Sequence, residues 1–280
     1  MKLKTYVLLG SMILGWPLVL SRAARAQSPP LINEFVANHS GSDTHEFVEI
    51  LGDPDTDLSA FSVLQVEGDS GFGTIDAVYA VGTTDGAGFV LIGFLEAGIE
   101  NGTMTLLLVE NFSGAPGDDL DTDDDGVMDF MPFDRIVDDV AVSDGGATDL
   151  TYSKVALGPG FDGSPDVPGG ASRIPNGSDS DSVEDWVRND PDGEGLPGFV
   201  GTPEAGEALN TPGTVNRSVE VPIVGTATGF SSAWALCVNR TTGQSIPITL
   251  EGLTSWNCTE SGLSVTPGDT VVMAVVGSAN

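Results

Sequence analysis

Residues 31–51 constrain this chain more than any other stretch. Leu-Ile-Asn-Glu-Phe-Val is followed by a polar segment rich in Asn, Ser, Gly and Asp, then by His-Glu-Phe-Val-Glu-Ile-Leu. Two β-branched and aromatic runs around such a break read as two strands and a loop. Side chains alternate across a strand. Glu46, Val48 and Ile50 therefore share one face, and Phe47 and Glu49 the other. Similar runs recur at residues 61–67, 75–81, 88–95, 103–110 and 136–142, split by Gly- and Asp-rich breaks. With 37 Gly, 17 Pro and few long helical patterns, the chain reads as all-β, many short strands joined by turns. A hydrophobic content of 40% argues against wholesale disorder.

Residues 1–26 have the layout of an export signal. Lys2 and Lys4 precede an apolar run at 6–20, and Ala24-Arg25-Ala26 is an A-x-A cleavage site. The competing reading is a membrane anchor, but a span needs about 20 apolar residues. No later stretch is long and apolar enough to cross a membrane. The expected location is secreted, periplasmic or cell-surface. The signal contains four of the ten basic residues and no acid, so six remain against 41 acidic ones, a net charge of −35. Such a surface repels nucleic acid, which is bound through Lys and Arg on phosphate, and anionic membranes. It attracts divalent cations. A saline habitat is the other reading of the same composition. About 250 mature residues suffice for one large β-sandwich with a small appendage.

Several motifs, taken in order, resemble the bacterial lamin-tail domain family. They are Ile32-Asn33-Glu34, then Glu46-Phe47-Val48-Glu49-Ile50, Asp57-Leu58-Ser59, Gly88-Phe89-Val90-Leu91, Asn101-Gly102-Thr103, and Val137-Asp138-Asp139-Val140. Ser172-Arg173-Ile174-Pro175-Asn176-Gly177, Asp185-Trp186 and Thr211-Pro212-Gly213-Thr214-Val215-Asn216 complete the series. The resemblance covers roughly residues 31–216 and implies an immunoglobulin-like β-sandwich that binds or scaffolds. It divides the chain into the signal (1–26), the sandwich (27–216) with an insertion at about 110–135, and a small β module or extra strands (217–280). Ser182 would cap one helical turn before Trp186, and Trp186 reads as a core or edge plug rather than a ligand platform.

The insertion carries the sharpest chemical signal, Asp121-Thr122-Asp123-Asp124-Asp125-Gly126-Val127-Met128-Asp129. Calcium takes six to eight oxygen ligands. Alternate carboxylates in a tight loop converge on one point, and glycine at the sixth position permits the turn. Asp121, Asp123 and Asp125 would offer side-chain oxygens, Val127 its backbone carbonyl, and Asp129 a direct or water-mediated ligand. The run resembles the calcium loops of EF-hand, dockerin and thrombospondin-type repeats. It departs from the EF-hand at the twelfth position, where Pro132 replaces the bidentate Glu; Asp134 is the candidate substitute. The alternative is a solvated acidic loop. Asp179, Asp181, Asp190 and Asp192 form a second acidic group without ligand spacing.

Catalysis has little support. The two histidines, His39 and His45, form no H-E-x-x-H pair, and there is no G-x-S-x-G elbow or phosphate loop. Glu46 and Glu49 fall on opposite faces of one strand and cannot flank one glycosidic bond; a place at a sheet rim or edge would explain them. Asn-x-Ser/Thr triplets, including those at Asn176, Asn216 and Asn239, read as turn residues. Cys237 and Cys258 read as a disulfide in an exported chain, with two buried thiols as the alternative. The expectation is a secreted, non-catalytic binding or scaffolding module with a calcium-stabilised loop, serving surface adhesion or matrix. Its partner would be an extracellular protein or surface ligand. The rival is a metal-dependent extracellular hydrolase, a nuclease or phosphoesterase, or an accessory subunit of one.

Overall fold

The computed structural model describes residues 28–204, 206–218, 224–226, 230–250, 255–259, 261–263, 265 and 270–279. The expected export signal and parts of the expected 217–280 module lie outside them. The chain is all-β, and its first ten strands are β1 (Leu31–Val36), β2 (Glu46–Leu51), β3 (Phe61–Glu67), β4 (Ile75–Ala80), β5 (Phe89–Leu95), β6 (Met104–Glu110), β7 (Arg135–Val142), β8 (Ala156–Leu157), β9 (Gly170–Arg173) and β10 (Trp186–Arg188). They form two five-stranded sheets, ordered β10-β9-β1-β2-β5 and β4-β3-β6-β7-β8. All pairings are antiparallel except β7 with β8. Ile32, Phe35, Val48 and Ile50 of the first sheet meet Val63, Leu106, Leu108, Val140 and Val142 of the second in one shared core.

Strand β6 shows why this body is more than two layers. Leu106 and Leu108 belong to the core between the sheets, while Leu107 and Val109 belong to a separate apolar cluster on the other side. Adjacent residues of a strand point to opposite faces, so a run buried throughout means a sheet covered on both sides. Leu106, Leu107 and Leu108 are all completely buried, each contributing roughly 2 kcal/mol of apolar transfer.

A bulge sets the chemistry of β1. The register with β2 shifts between Ile32 and Glu34. One extra residue in a strand resets its alternation. Ile32 and Phe35 both face the shared core, and Asn33 and Glu34 both turn to the outer face, where their side chains bond to covering residues. Beyond the bulge, Glu34 stands directly opposite Glu49.

Arg173 of β9 joins the two sheets. Its Nη2 donates to both oxygens of Asp138 on β7, at 2.8 and 3.1 Å, and its Nε donates to the Ile32 carbonyl. The Ile32 amide in turn donates to Asp138 at 2.6 Å. Trp186 lies under the guanidinium at 4.5 Å and packs edge-on against Phe35, so it is a core residue. The turn before it is a 3-10 helix, Val183–Asp185, to which Ser182 offers no side-chain cap.

Further along, β11 (Ala208–Leu209) pairs with β12 (Arg217–Ser218), so strand pairing crosses the boundary expected after residue 216. Then come β13 (Val224–Thr226), β14 (Phe230–Asn239), β15 (Ser245–Thr249), β16 (Ser255–Asn257) and β17 (Val271–Ala279). They form a β13-β16 pair and a β15-β14-β17 sheet. Ala235, Leu250, Trp256, Leu263 and Val265 pack around a Cys237–Cys258 disulfide. Closing a loop of 21 residues stabilises by roughly 3 kcal/mol in the chain-entropy account.

Candidate functional site

The insertion between β6 and β7 covers the outer face of the second sheet. Leu120 is fully buried there, and Phe112, Met128 and Phe133 pack beside it on Leu64, Val66, Ile75 and Leu107. Backbone hydrogen bonds from Leu120 to Gly73 and from Ile75 to Asp118 fix the loop to the β3–β4 hairpin. Gly73 has φ +77°, and a Cβ there would stand 2.7 Å from the Asp121 backbone nitrogen. Only glycine admits that approach.

Asp121 follows Leu120 into the interior and is fully buried. Its Oδ1 accepts from the Asp125 amide at 3.2 Å; its Oδ2 accepts from the Gly126 amide at 2.8 Å and the Tyr152 hydroxyl at 2.9 Å. Burial, then the Asp121 carboxylate, raises the pKa of the Tyr152 hydroxyl, which keeps it a donor. The turn requires φ +55° at Asp124 and +84° at Gly126, which explains the glycine at the sixth position. Asp123 and Asp129 are exposed, and one carboxylate oxygen from each lies within 4.8 Å of the others and of one from Asp121. Asp125 first, then burial, Asp129 and Asp121 raise the pKa of the Asp123 carboxyl. Asp129 accepts from the Thr122 amide and hydroxyl at 3.0 and 2.7 Å.

Of the expected ligands, the structure thus brings together Asp121, Asp123 and Asp129. Asp125 stands outside the triad, its Oδ1 accepting from the Val127 amide at 2.9 Å. Asp134, the candidate substitute at the far end, instead accepts from Asn111 at 2.7 Å. Three converging carboxylates are hard oxygen donors, the set a divalent ion such as calcium takes.

A second triad escaped the sequence, because Glu100 joins Glu67, at the end of β3, and Asp69, in the turn after it, from a loop about thirty residues away. The Glu67 Oε1 accepts three successive amides, from Gly68, Asp69 and Ser70, at 3.0 to 3.2 Å. Burial first, then Glu67 and Asp76, raises the pKa of Glu100.

The outer face of the first sheet is closed differently. Residues 189–204 and 206–216 fold across it, seating Leu196 and Phe199 on Val36 and Phe47. Beside that small cluster lies a buried polar network. The Glu34 carboxylate accepts from the Thr211 amide and hydroxyl and from Asn189 at 2.8 to 2.9 Å. Glu49 accepts from Asn33 at 2.8 Å and from the Gly213 amide at 2.6 Å. Asn216 donates to the Asn33 and Arg173 carbonyls at 2.8 and 3.1 Å, and its amide donates to Asn176. Burial outweighs these bonds and pushes the Glu34 pKa up to about 7. Burial, aided by the opposing Glu34, pushes Glu49 up to about 8.

These positions correct two expectations. Glu46 and Glu49 are fully buried on β2, an interior strand between β1 and β5, not at a rim. They do lie on opposite faces, since Glu46 accepts from the Gly98 and Ile99 amides while Glu49 joins the outer network. Asn216 is a network member outside any turn, so turn propensity does not account for it, whereas Asn176 joins the network from a turn and Asn239, though fully buried, accepts from the Thr241 and Thr242 amides of its own turn. Asp138 is the buried partner of Arg173, and burial outweighs that charge to push its pKa up to about 6. The signal for it was the scarcity of cations: an arginine inside a strongly acidic chain needs a carboxylate partner.

Comparison with protein-family models, curated proteins and solved structures finds no match to this chain.

Proposed function

We propose that this chain is an exported, lamin-tail-like β-sandwich of immunoglobulin type, acting as a non-catalytic binding or scaffolding module in adhesion or matrix, with calcium closing the 121–129 turn. The observation that carries the metal reading is the Asp121, Asp123 and Asp129 convergence on a loop whose base is anchored by buried Leu120. A cation there would relieve the mutual repulsion of three carboxylates and fix the outer half of a loop whose inner half is already packed. The family reading draws support from the meeting of motifs far apart in sequence, residues 33–34, 49, 172–176 and 211–216, in one hydrogen-bonded network. Export is supported by the A-x-A segment and the disulfide. Among the described residues no helix is long and apolar enough to cross a membrane.

The test is a thermal melt of the mature protein in EDTA and in rising calcium, with magnesium as control. A ligand specific to the folded state stabilises by about 2.7 kcal/mol at one hundred times its dissociation constant. Asp123→Ala should abolish a calcium-specific rise while leaving the melt in EDTA unchanged. An identical melt with and without calcium would sink the metal reading. A pull-down from extracellular material that recovers nothing, with or without calcium, would count against the binding role.

A further inference from the structure

The insertion sends some apolar side chains inward and others out. Met128 and Phe133 turn in to the Leu120 cluster. Val127, Phe130 and Met131 stand 65%, 46% and 58% exposed. They fall within five consecutive positions of a loop held firmly beneath them, where the Asp129 and Phe130 amides both donate to the Leu120 carbonyl. Single exposed apolar residues are ordinary, whereas a contiguous group marks a contact surface.

The surroundings select what makes that contact. Asp123, Asp124, Asp125, Asp129 and Asp134 are exposed on the same loop. The nearest cation in sequence, Arg135, is engaged by Glu110 at 2.6 Å. Exposed apolar residues interleaved along one loop with exposed aspartates have the composition of an interface core and rim, with a potential complementary to positive charge. Nucleic acid and anionic lipid carry the wrong sign.

We propose that residues 127–131 form a docking surface for a basic, amphipathic segment of a partner protein, whose apolar side chains cover Val127, Phe130 and Met131 while its Lys or Arg residues meet the surrounding aspartates. This deepens the binding-module reading and rests on it, but not on the calcium reading.

The experiment is a fluorescence titration of the mature protein with two synthetic peptides of equal charge at physiological ionic strength. One places lysine and leucine at helical spacing; the other has serine for every leucine. Phosphatidylcholine vesicles form a third arm. The lysine–leucine peptide should bind roughly tenfold or more tightly than the lysine–serine peptide, a difference of about 1.4 kcal/mol or more. The Val127→Ser, Phe130→Ser, Met131→Ser triple variant should lose that difference and keep its melting temperature; Phe130→Ser alone gives the same reading in smaller measure should the triple variant fail to fold. Equal affinity for both peptides overturns the proposal, as does undiminished binding by the serine variants, or vesicle binding that competes with the peptide. A calcium shift in the melt beside undiminished serine-variant binding rejects the docking surface alone. Loss of peptide preference in those variants without any calcium shift rejects the metal reading alone.

Discussion

Both sheets of the sandwich have their outer faces covered, by opposite means. Over the second sheet, residues 111–134 seat Leu120, Phe112, Met128 and Phe133 on an apolar surface, and the loop's one fully buried carboxylate, Asp121, satisfies its own turn. Over the first sheet, residues 189–204 and 206–216 bring Leu196 and Phe199 as apolar anchors, and the closure relies on Glu34 and Glu49 receiving amides, hydroxyls and carboxamides. The apolar covering gains from burial and is tolerant of direction. The polar covering depends on each donor meeting its acceptor, because an unmet buried group costs its full desolvation. The first arrangement should fail gradually and the second abruptly.

The largest contrast should come from pH. The pKa values of Glu34 and Glu49 rise from 4.5 to about 7 and about 8 in the folded chain. A carboxyl that holds its proton more tightly when folded stabilises the folded state in acid. That contribution is complete below about pH 4.5 and is lost as pH rises through 7 to 8, on the order of 5 kcal/mol for the pair. Urea unfolding of the mature protein should therefore show greater stability at pH 5 than at pH 8. Glu49→Gln should flatten the slope; an unchanged slope would show that Glu49 titrates alike in both states.

Next in size is Arg173→Ala, which leaves Asp138 buried without its counter-charge between the two sheets. The expected loss is about 3–5 kcal/mol, read as a fall in the urea midpoint. A loss below 1 kcal/mol would mean water replaces the guanidinium. Leu120→Ala removes the chief anchor of the apolar covering. It should cost about 3 kcal/mol by burial and cavity formation, with the first sheet's amides keeping their hydrogen-exchange protection. Smallest is Asn216→Ala, at about 1–3 kcal/mol. It should expose the 211–216 amides to exchange together, whereas exchange confined to residue 216 would break the picture of an interdependent polar closure.

Strand positions were readable because periodicity and turn composition act locally. The run at 61–67 is β3 residue for residue, and β5, β6 and β7 begin within one residue of expectation. The disulfide was readable from the expected export and an even cysteine count. Burial of polar residues was not, since it depends on what folds over them. Glu34 and Glu49 look like solvent-facing strand residues until residues 211–213 are placed above them. Likewise, D-x-D-x-D-G foretold the turn, but not that Asp125 would cap Val127 instead of joining the triad. The second triad, Glu67, Asp69 and Glu100, had no signal at all, because nothing in sequence ties residue 100 to residue 67.

The single extra residue in β1 acts as a phase shift. Upstream of it the odd-even rhythm assigns side chains one way, and downstream the other. Deleting Asn33 would restore regular alternation, leaving Ile32 and Phe35 toward the core and Glu34 opposite Glu49, but the outer face would receive one polar residue where it now receives two. The extra residue therefore serves the outer network rather than the core. In a set of random deletions, loss of Asn33 should keep the shared core and open the outer network, because the bonds from Asn33 to Glu49 and Asn216 go with it.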